Sequence, residues 1–266
     1  MKKRVIYLLM AVVAMLSACN GTTGGNYGNG SNDTFVTKSF HSECKLDSTE
    51  KESPKFVSNI SVNVMESENK EREKKVNTLI TDALYGFKGV SLDAATDSFI
   101  SIAQDEYYDL LPEYFNEKKI NPKAEWFNFT YEINTEVEYG RKNIIIYKID
   151  CYYYTGGPHP NGVVTYINMD PETGEEITLS DVFKDGYEDF LVNRLTDALA
   201  DKLGVNSRRE IMEKGFLTFN DIYPSENFML KKDSIHFFYN RYDIAPYAAG
   251  TTTLSFAYDD LSGIMK

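Results

Sequence analysis

Scarcity excludes several functions before any motif is read. The 266 residues contain three cysteines and three histidines. These residues, Cys19, Cys44 and Cys151 with His41, His159 and His236, are too scattered to make a zinc site of familiar spacing. Positive charge is also in deficit: 28 Lys and Arg face 40 Asp and Glu, a formal charge of −12 and a poor surface for nucleic acid. Long apolar runs are missing after residue 16, so nothing later in the chain reads as a membrane span. There is no Gly-x-Ser-x-Gly elbow and no Cys–His pairing signature. The expectation is a protein that is not an enzyme, with no catalytic residues, metal or cofactor.

What is present begins with an address. Met1-Lys2-Lys3-Arg4 is basic, residues 5–16 are apolar, and Leu16-Ser17-Ala18-Cys19 closes the segment, so residues 1–18 read as a signal peptide. The Leu-Ser-Ala-Cys ending resembles a bacterial lipobox, which implies that Cys19 becomes the lipidated first residue, carrying palmitate-like acyl chains as the only membrane attachment. Losing Lys2, Lys3 and Arg4 leaves 25 basic against 40 acidic residues, a net −15. Residues 20–34 are almost all Gly, Asn, Thr and Ser, a flexible tether, and the lipidated Cys with its tether is assigned residues 19–50. The expected location is the bacterial cell envelope, on the periplasm-facing side of the outer membrane, because no acidic cluster follows Cys19. That compartment permits a disulfide between Cys44 and Cys151, with two unpaired buried thiols as the open alternative.

The remainder alternates between two periods. Ile60, Val62 and Val64 mark a first strand, and Val76, Leu79, Ile80, Ala83 and Leu84 give a helix face ended by Gly86. A second helix spans residues 92–116, with Phe99, Ile102, Ala103, Leu110 and Leu111 inward and Pro112 breaking or kinking it. Residues 127–137 and 144–149 form a hairpin turned at Gly140, and residues 163–169 supply the next strand. Asp170-Pro171-Glu172-Thr173-Gly174 is a tight turn, and Ser180 is the expected cap of a short helical turn. A helix over 187–203, a shorter one opened by Ser207, and strands near 228–230, 234–239 and 252–256 complete the chain. The fold class is α+β, an antiparallel sheet with packed helices. It has an N-terminal subdomain at 51–158 and a C-terminal one at 159–266 that share one sheet.

Two loops carry the densest turn and aromatic chemistry. Tyr152-Tyr153-Tyr154-Thr155-Gly156-Gly157-Pro158-His159-Pro160-Asn161-Gly162 cannot continue a helix or a central strand, and residues 242–250 hold Tyr242, Pro246 and Tyr247. His159 has no base or nucleophile partner within its segment, so a structural or partner-contact role outweighs a catalytic one. Glu175-Glu176 and Asp259-Asp260 are solvated turn carboxylates rather than a glycosidase pair.

In combination, Tyr-Thr-Gly-Gly-Pro-His-Pro-Asn-Gly, Asp-Pro-Glu-Thr-Gly with Ile-Thr-Leu-Ser-Asp-Val-Phe, and Tyr-Asp-Ile-Ala-Pro-Tyr-Ala-Ala-Gly resemble the extracytoplasmic domain of RsiV-type anti-sigma factors. The same linked domains of unknown function are similar to the N-terminal accessory part of PdaC-type peptidoglycan deacetylases and recur in free-standing lipoproteins. RsiV-type proteins bind lysozyme, so the resemblance implies a lipid-anchored binding protein for a basic, lysozyme-like cell-wall hydrolase or for peptidoglycan glycan. The alternatives are an envelope assembly lipoprotein with another protein partner, or a peptidoglycan-modifying hydrolase. The candidate partner-binding residues are Tyr154, Gly156, Gly157, His159, Asn161, Tyr242, Pro246 and Tyr247.

Overall fold

The computed structural model describes residues 33–121, 124–218 and 220–266, so the signal-peptide and Cys19 readings lie outside the described residues. Two sheets organise the chain. The larger has six strands in the order β1 (Thr34–Lys45), β2 (Lys55–Glu66), β3 (Phe129–Tyr139), β4 (Ile145–Tyr154), β5 (Asn161–Met169) and β6 (Glu176–Ile177). The smaller joins β7 (Phe228–Leu230), β8 (Ser234–Tyr239) and β9 (Thr252–Ala257). Among the described residues every pairing is antiparallel except β2 with β3, where Phe56 lies opposite Phe129 and Ser61 opposite Asn134. A parallel pair needs a long crossover, and three helices supply it: α1 (Lys70–Tyr85), α2 (Leu92–Tyr108) and α3 (Leu111–Glu117).

Local chemistry explains where those helices stop and start. Asn69 accepts the Arg72 N–H to open α1, and Gly86 closes it in the left-handed conformation at φ 70°. The helix expected over 92–116 divides at Asp109–Leu110, because Pro112 occupies the first turn of α3, where its missing N–H costs nothing. Val76 and Ile80 from α1 and Leu92 from α2 pack on Ile60, Val62, Ile133 and Ile149. Ile102, expected inward, is 51% exposed; the buried position on α2 belongs to Tyr107, which packs with Phe56, Tyr114 and Phe127.

The second half builds its own core. After α4 (Leu179–Val182) come α5 (Glu188–Leu203) and α6 (Arg208–Glu213). Leu191, Leu195 and Leu199 recur every four residues on α5 and are fully buried against Phe237, Leu254 and Phe256. Each such leucine contributes about 1.5–3 kcal/mol by leaving water. The cap of α4 is Thr178 rather than Ser180: the Thr178 N–H donates to the Asp181 carboxylate in a reciprocal capping box.

Three expectations change at the level of organisation. Residues 34–45 are not tether but the twelve-residue edge strand β1, hydrogen-bonded along its length to β2. The division at 158/159 cuts the β4–β5 hairpin, whose arms are paired through Tyr152–Gly162 and Tyr153–Asn161, so the six-stranded sheet runs on to Ile177 before the second unit starts. Cys44 and Cys151 are free thiols. They stand on β1 and β4, three strand spacings or about 14 Å apart across the sheet and four residues out of register along it, too far for a bridge.

The two sheets are joined side chain to backbone. The amides of Asn240 and Asn227 supply the bonds that the outer edge of β5 lacks. Val164 N–H donates to Asn240 Oδ1 (2.8 Å), Tyr166 N–H donates to Asn227 Oδ1 (2.7 Å), and both amides donate back to the Val164 carbonyl at 3.0 and 2.7 Å. Asn168 does the reverse from β5, donating to Phe228 O at 2.8 Å and accepting from Leu230 N–H at 2.9 Å. Ile146, Met229 and Phe238 fill the space beneath this seam.

Candidate recognition site

The β4–β5 loop is shaped by two glycines. Gly156 and Gly157 adopt φ of 85° and 91°, and a side chain on Gly156 would meet the Trp126 carbonyl at 3.1 Å. That close approach, together with the left-handed backbone, admits only glycine at 156 without strain. Tyr154 OH donates to the Gly157 carbonyl at 3.0 Å, and Asn161 Nδ2 donates to Tyr153 OH at 3.0 Å, so strand residues brace the loop from both sides. Tyr153 turns to the helix-covered face and stacks on Tyr131 at 6.1 Å, leaving Tyr152 on the opposite face, 41% exposed.

The second loop is held equally firmly. Asn240 N–H donates to Asp243 Oδ2 at 2.6 Å, Tyr242 N–H to the Ala245 carbonyl, and Leu217 N–H to the Ile244 carbonyl. Tyr242 pays a left-handed φ of 71° at the loop tip, where its ring is 52% exposed. Burial pushes the Asp243 carboxyl above its usual range, against the opposing effect of the Asn240 N–H.

These loops, far apart in sequence, meet. The His159 ring stacks on Tyr247 with centroids 4.0 Å apart and planes within 20°, and Tyr247 OH donates to the Pro160 carbonyl at 2.9 Å. The same carbonyl lies 3.1 Å from His159 Nδ1, which donates when it carries the proton. Arg241 Cζ stands 5.1 Å from the Tyr247 ring, and Tyr242 packs beside it at 5.8 Å. Below this cluster is a cleft of about 130 Å³, floored by Asp150, Tyr152, Gly162 and Val164 of β4 and β5 and walled by Asn240, Arg241, Tyr247 and Thr251.

The structure therefore brings together His159 and Asn161 with Tyr242 and Tyr247, whereas Tyr154, Gly156 and Gly157 shape the β4–β5 loop itself, Gly156 lying against the Trp126 carbonyl; exposed Pro246 begins the single turn that carries Tyr247. Sequence reading missed Arg241, Asp150 and Tyr152, the charged and aromatic lining. It also missed the asparagine seam, whose one signal was an Asn at position 168 among apolar strand residues. Burial raises the Cys151 thiol to about 11, with Asp150 adding to the effect, so this cysteine under the cleft stays protonated at neutral pH. A wider depression of about 510 Å³ lies between α1 and the 170–176 turn, lined by Lys74 and Lys75, of which Lys75 pairs with Glu175 and Glu71.

Comparison with known proteins places this geometry. Residues 180–259 match the family model described as protein of unknown function (DUF3298). The chain carries a DUF3298 domain. It is similar in structure to a DUF3298 family member from Bacteroides fragilis, with 26% identity and a TM-score of 0.74, over 87% of this chain and 94% of that one. A DUF3298 family protein from Pseudomonas aeruginosa shares the fold at 17% identity and a TM-score of 0.56, again over 87% and 94%. No curated protein matches. The α+β reading agrees with these neighbours. The DUF3298 domain contributes α4 to β9 and with them the Tyr242–Tyr247 loop, whereas the His159 loop precedes it.

Proposed function

We propose that this protein is a lipid-anchored binding module of the bacterial cell envelope, of the RsiV-like kind, whose joined loops dock a protein partner. The observation that carries the reading is the His159–Tyr247 stack with the Tyr247–Pro160 hydrogen bond. It holds two loops in one exposed, preformed arrangement with aromatic residues at its rim, and preorganised aromatic side chains are what strong interfaces use. The acidic chain suits a basic partner, a lysozyme-like cell-wall hydrolase, with electrostatics speeding encounter. The Leu16-Ser17-Ala18-Cys19 segment supports acylation at Cys19 and an envelope address facing the periplasm.

Calorimetric titration with lysozyme at low and moderate salt tests this. Saturable binding that weakens with salt and is lost in Tyr242→Ala supports the reading. No heat, or full binding by that variant, removes it. Crosslinking from position 159 in cells that captures an unrelated envelope protein redirects the partner to the assembly alternative.

A further inference from the structure

The cleft beneath Tyr247 differs from the loop surface above it. At about 130 Å³ it is well under the roughly 300–1,000 Å³ of pockets for drug-sized ligands, and it suits a single ring. Its two charged residues cancel: Asp150, itself 3.2 Å from Lys148, faces the cleft together with Arg241. Arg241 has no hydrogen-bond or carboxylate partner among the described residues, its only contact of note being the Tyr247 ring. Tyr152 OH and Thr251 Oγ1 are likewise without hydrogen-bond partners among those residues. No side chain stands on the floor at Gly162, where even a Cβ would come 2.9 Å from the Cys151 carbonyl.

We propose that this cleft is a saccharide subsite, seating one pyranose ring of a neutral glycan. A sugar ring presents hydroxyls that donate and accept together with an apolar CH face. The cleft offers a carboxylate that accepts from hydroxyls, a guanidinium fork and two hydroxyl groups that have bonds to give, and the Tyr152 ring as an exposed platform. An anionic ligand is disfavoured by Asp150, and a purely apolar one would leave Arg241 and the hydroxyls unpaired. The same sheet face continues away from the cleft in register: Tyr152 lies opposite Glu132, Glu132 opposite Asn59, and Asn59 opposite His41. A longer glycan thus meets one hydrogen-bonding side chain per strand, about 4.8 Å apart. The inference rests on this end of the molecule being the recognition face, but it assigns the ligand class of the cleft rather than the protein partner of the loops.

Saturation-transfer NMR and calorimetry on the purified full chain, with chitotriose, cellotriose and glucuronic acid as probes, test it. Saturable binding of either neutral trisaccharide is expected in the millimolar range, as befits one seated ring. Arg241→Ala and Tyr152→Ala are each expected to weaken it about fivefold or more with an unchanged urea midpoint, the scale of one lost contact. Tyr242→Ala, at the loop tip, should leave it intact. No saturable binding of either trisaccharide overturns the proposal, as does glucuronate binding tighter than both, or equal affinity in Arg241→Ala and Tyr152→Ala. Because lysozyme binding is read with Tyr242→Ala, failure of the glycan subsite and failure of the protein-docking reading give different patterns.

Discussion

Replacing Asn168 by alanine strips the seam between the two sheets of both bonds made from the β5 side. Asn168 is 1% exposed, and its partners Phe228 and Leu230 are 1% and 2% exposed, so water does not replace the lost amide. Leaving a buried carbonyl and a buried N–H unsatisfied costs about 1–3 kcal/mol each, hence about 2–6 kcal/mol together. At about 2–4 °C per kcal/mol for a domain of this size, Tm should fall by about 4–24 °C. Urea unfolding followed by circular dichroism gives the free energy, and a split into two transitions would mark the two units unfolding separately. Asn168→Asp sharpens the test. It keeps an acceptor for Leu230 N–H but sets a carboxylate against the Phe228 carbonyl, so it should cost more than alanine at neutral pH and recover on acidification. A loss under about 0.5 kcal/mol for Asn168→Ala, the range of ordinary surface changes, would refute the idea that this amide couples the sheets.

Gly156→Ala forces a Cβ onto a left-handed backbone beside the Trp126 carbonyl and should cost about 1–2 kcal/mol. Because Trp126 is the sole tryptophan, its emission should shift; unchanged stability and emission would show that the loop has room to spare. The pH response follows from the capping carboxylates. The Thr178 backbone N–H and hydroxyl hold Asp181 below its usual pKa, and at Asp170 the N–H groups of Thr173 and Glu172 outweigh the upward pull of burial. A lowered folded pKa means stability present above about pH 4, the ordinary Asp value, and lost as pH falls through the folded one. Urea midpoints should therefore drop as pH is lowered below about 4, less steeply in Asp181→Asn; identical slopes would rule the cap out as a source.

How much of this could be read from residues alone varied with the range of the interaction. Helix limits set by Gly86, Pro112, Ser207 and Gly204 were legible because each acts within one turn of chain. The hairpin over Phe129–Tyr154 and the tight turn at 170–174 were legible for the same reason. Strand β1 was not: Thr34–Lys45 mixes Lys38, His41 and Glu43 into an edge strand with solvent on one side, so its alternation is weak and its partner supplies the order. The parallel β2–β3 pairing and the seam depend on contacts sixty or more residues apart, which no local pattern encodes. In the site, turn chemistry pointed to His159 and Tyr247, while Arg241 looked like any surface arginine until the loop placed it over a tyrosine ring.

Asn240 links the architecture to the site. Its amide bonds both backbone groups of Val164, a residue on the cleft floor, while its own N–H fixes the start of the second loop through Asp243. The cleft therefore has its floor on the six-stranded sheet and its wall on the DUF3298 domain, and it exists only while the seam is closed. A ligand seated there binds the docked arrangement and not the parted one, so it must stabilise the docking by RT ln(1 + [L]/Kd), about 2.7 kcal/mol at a hundredfold excess over Kd. That is comparable to what Asn168→Ala is expected to remove. Ligand should accordingly restore much of the Tm lost in that variant, whereas a ligand confined to either unit alone would leave the seam as weak as before.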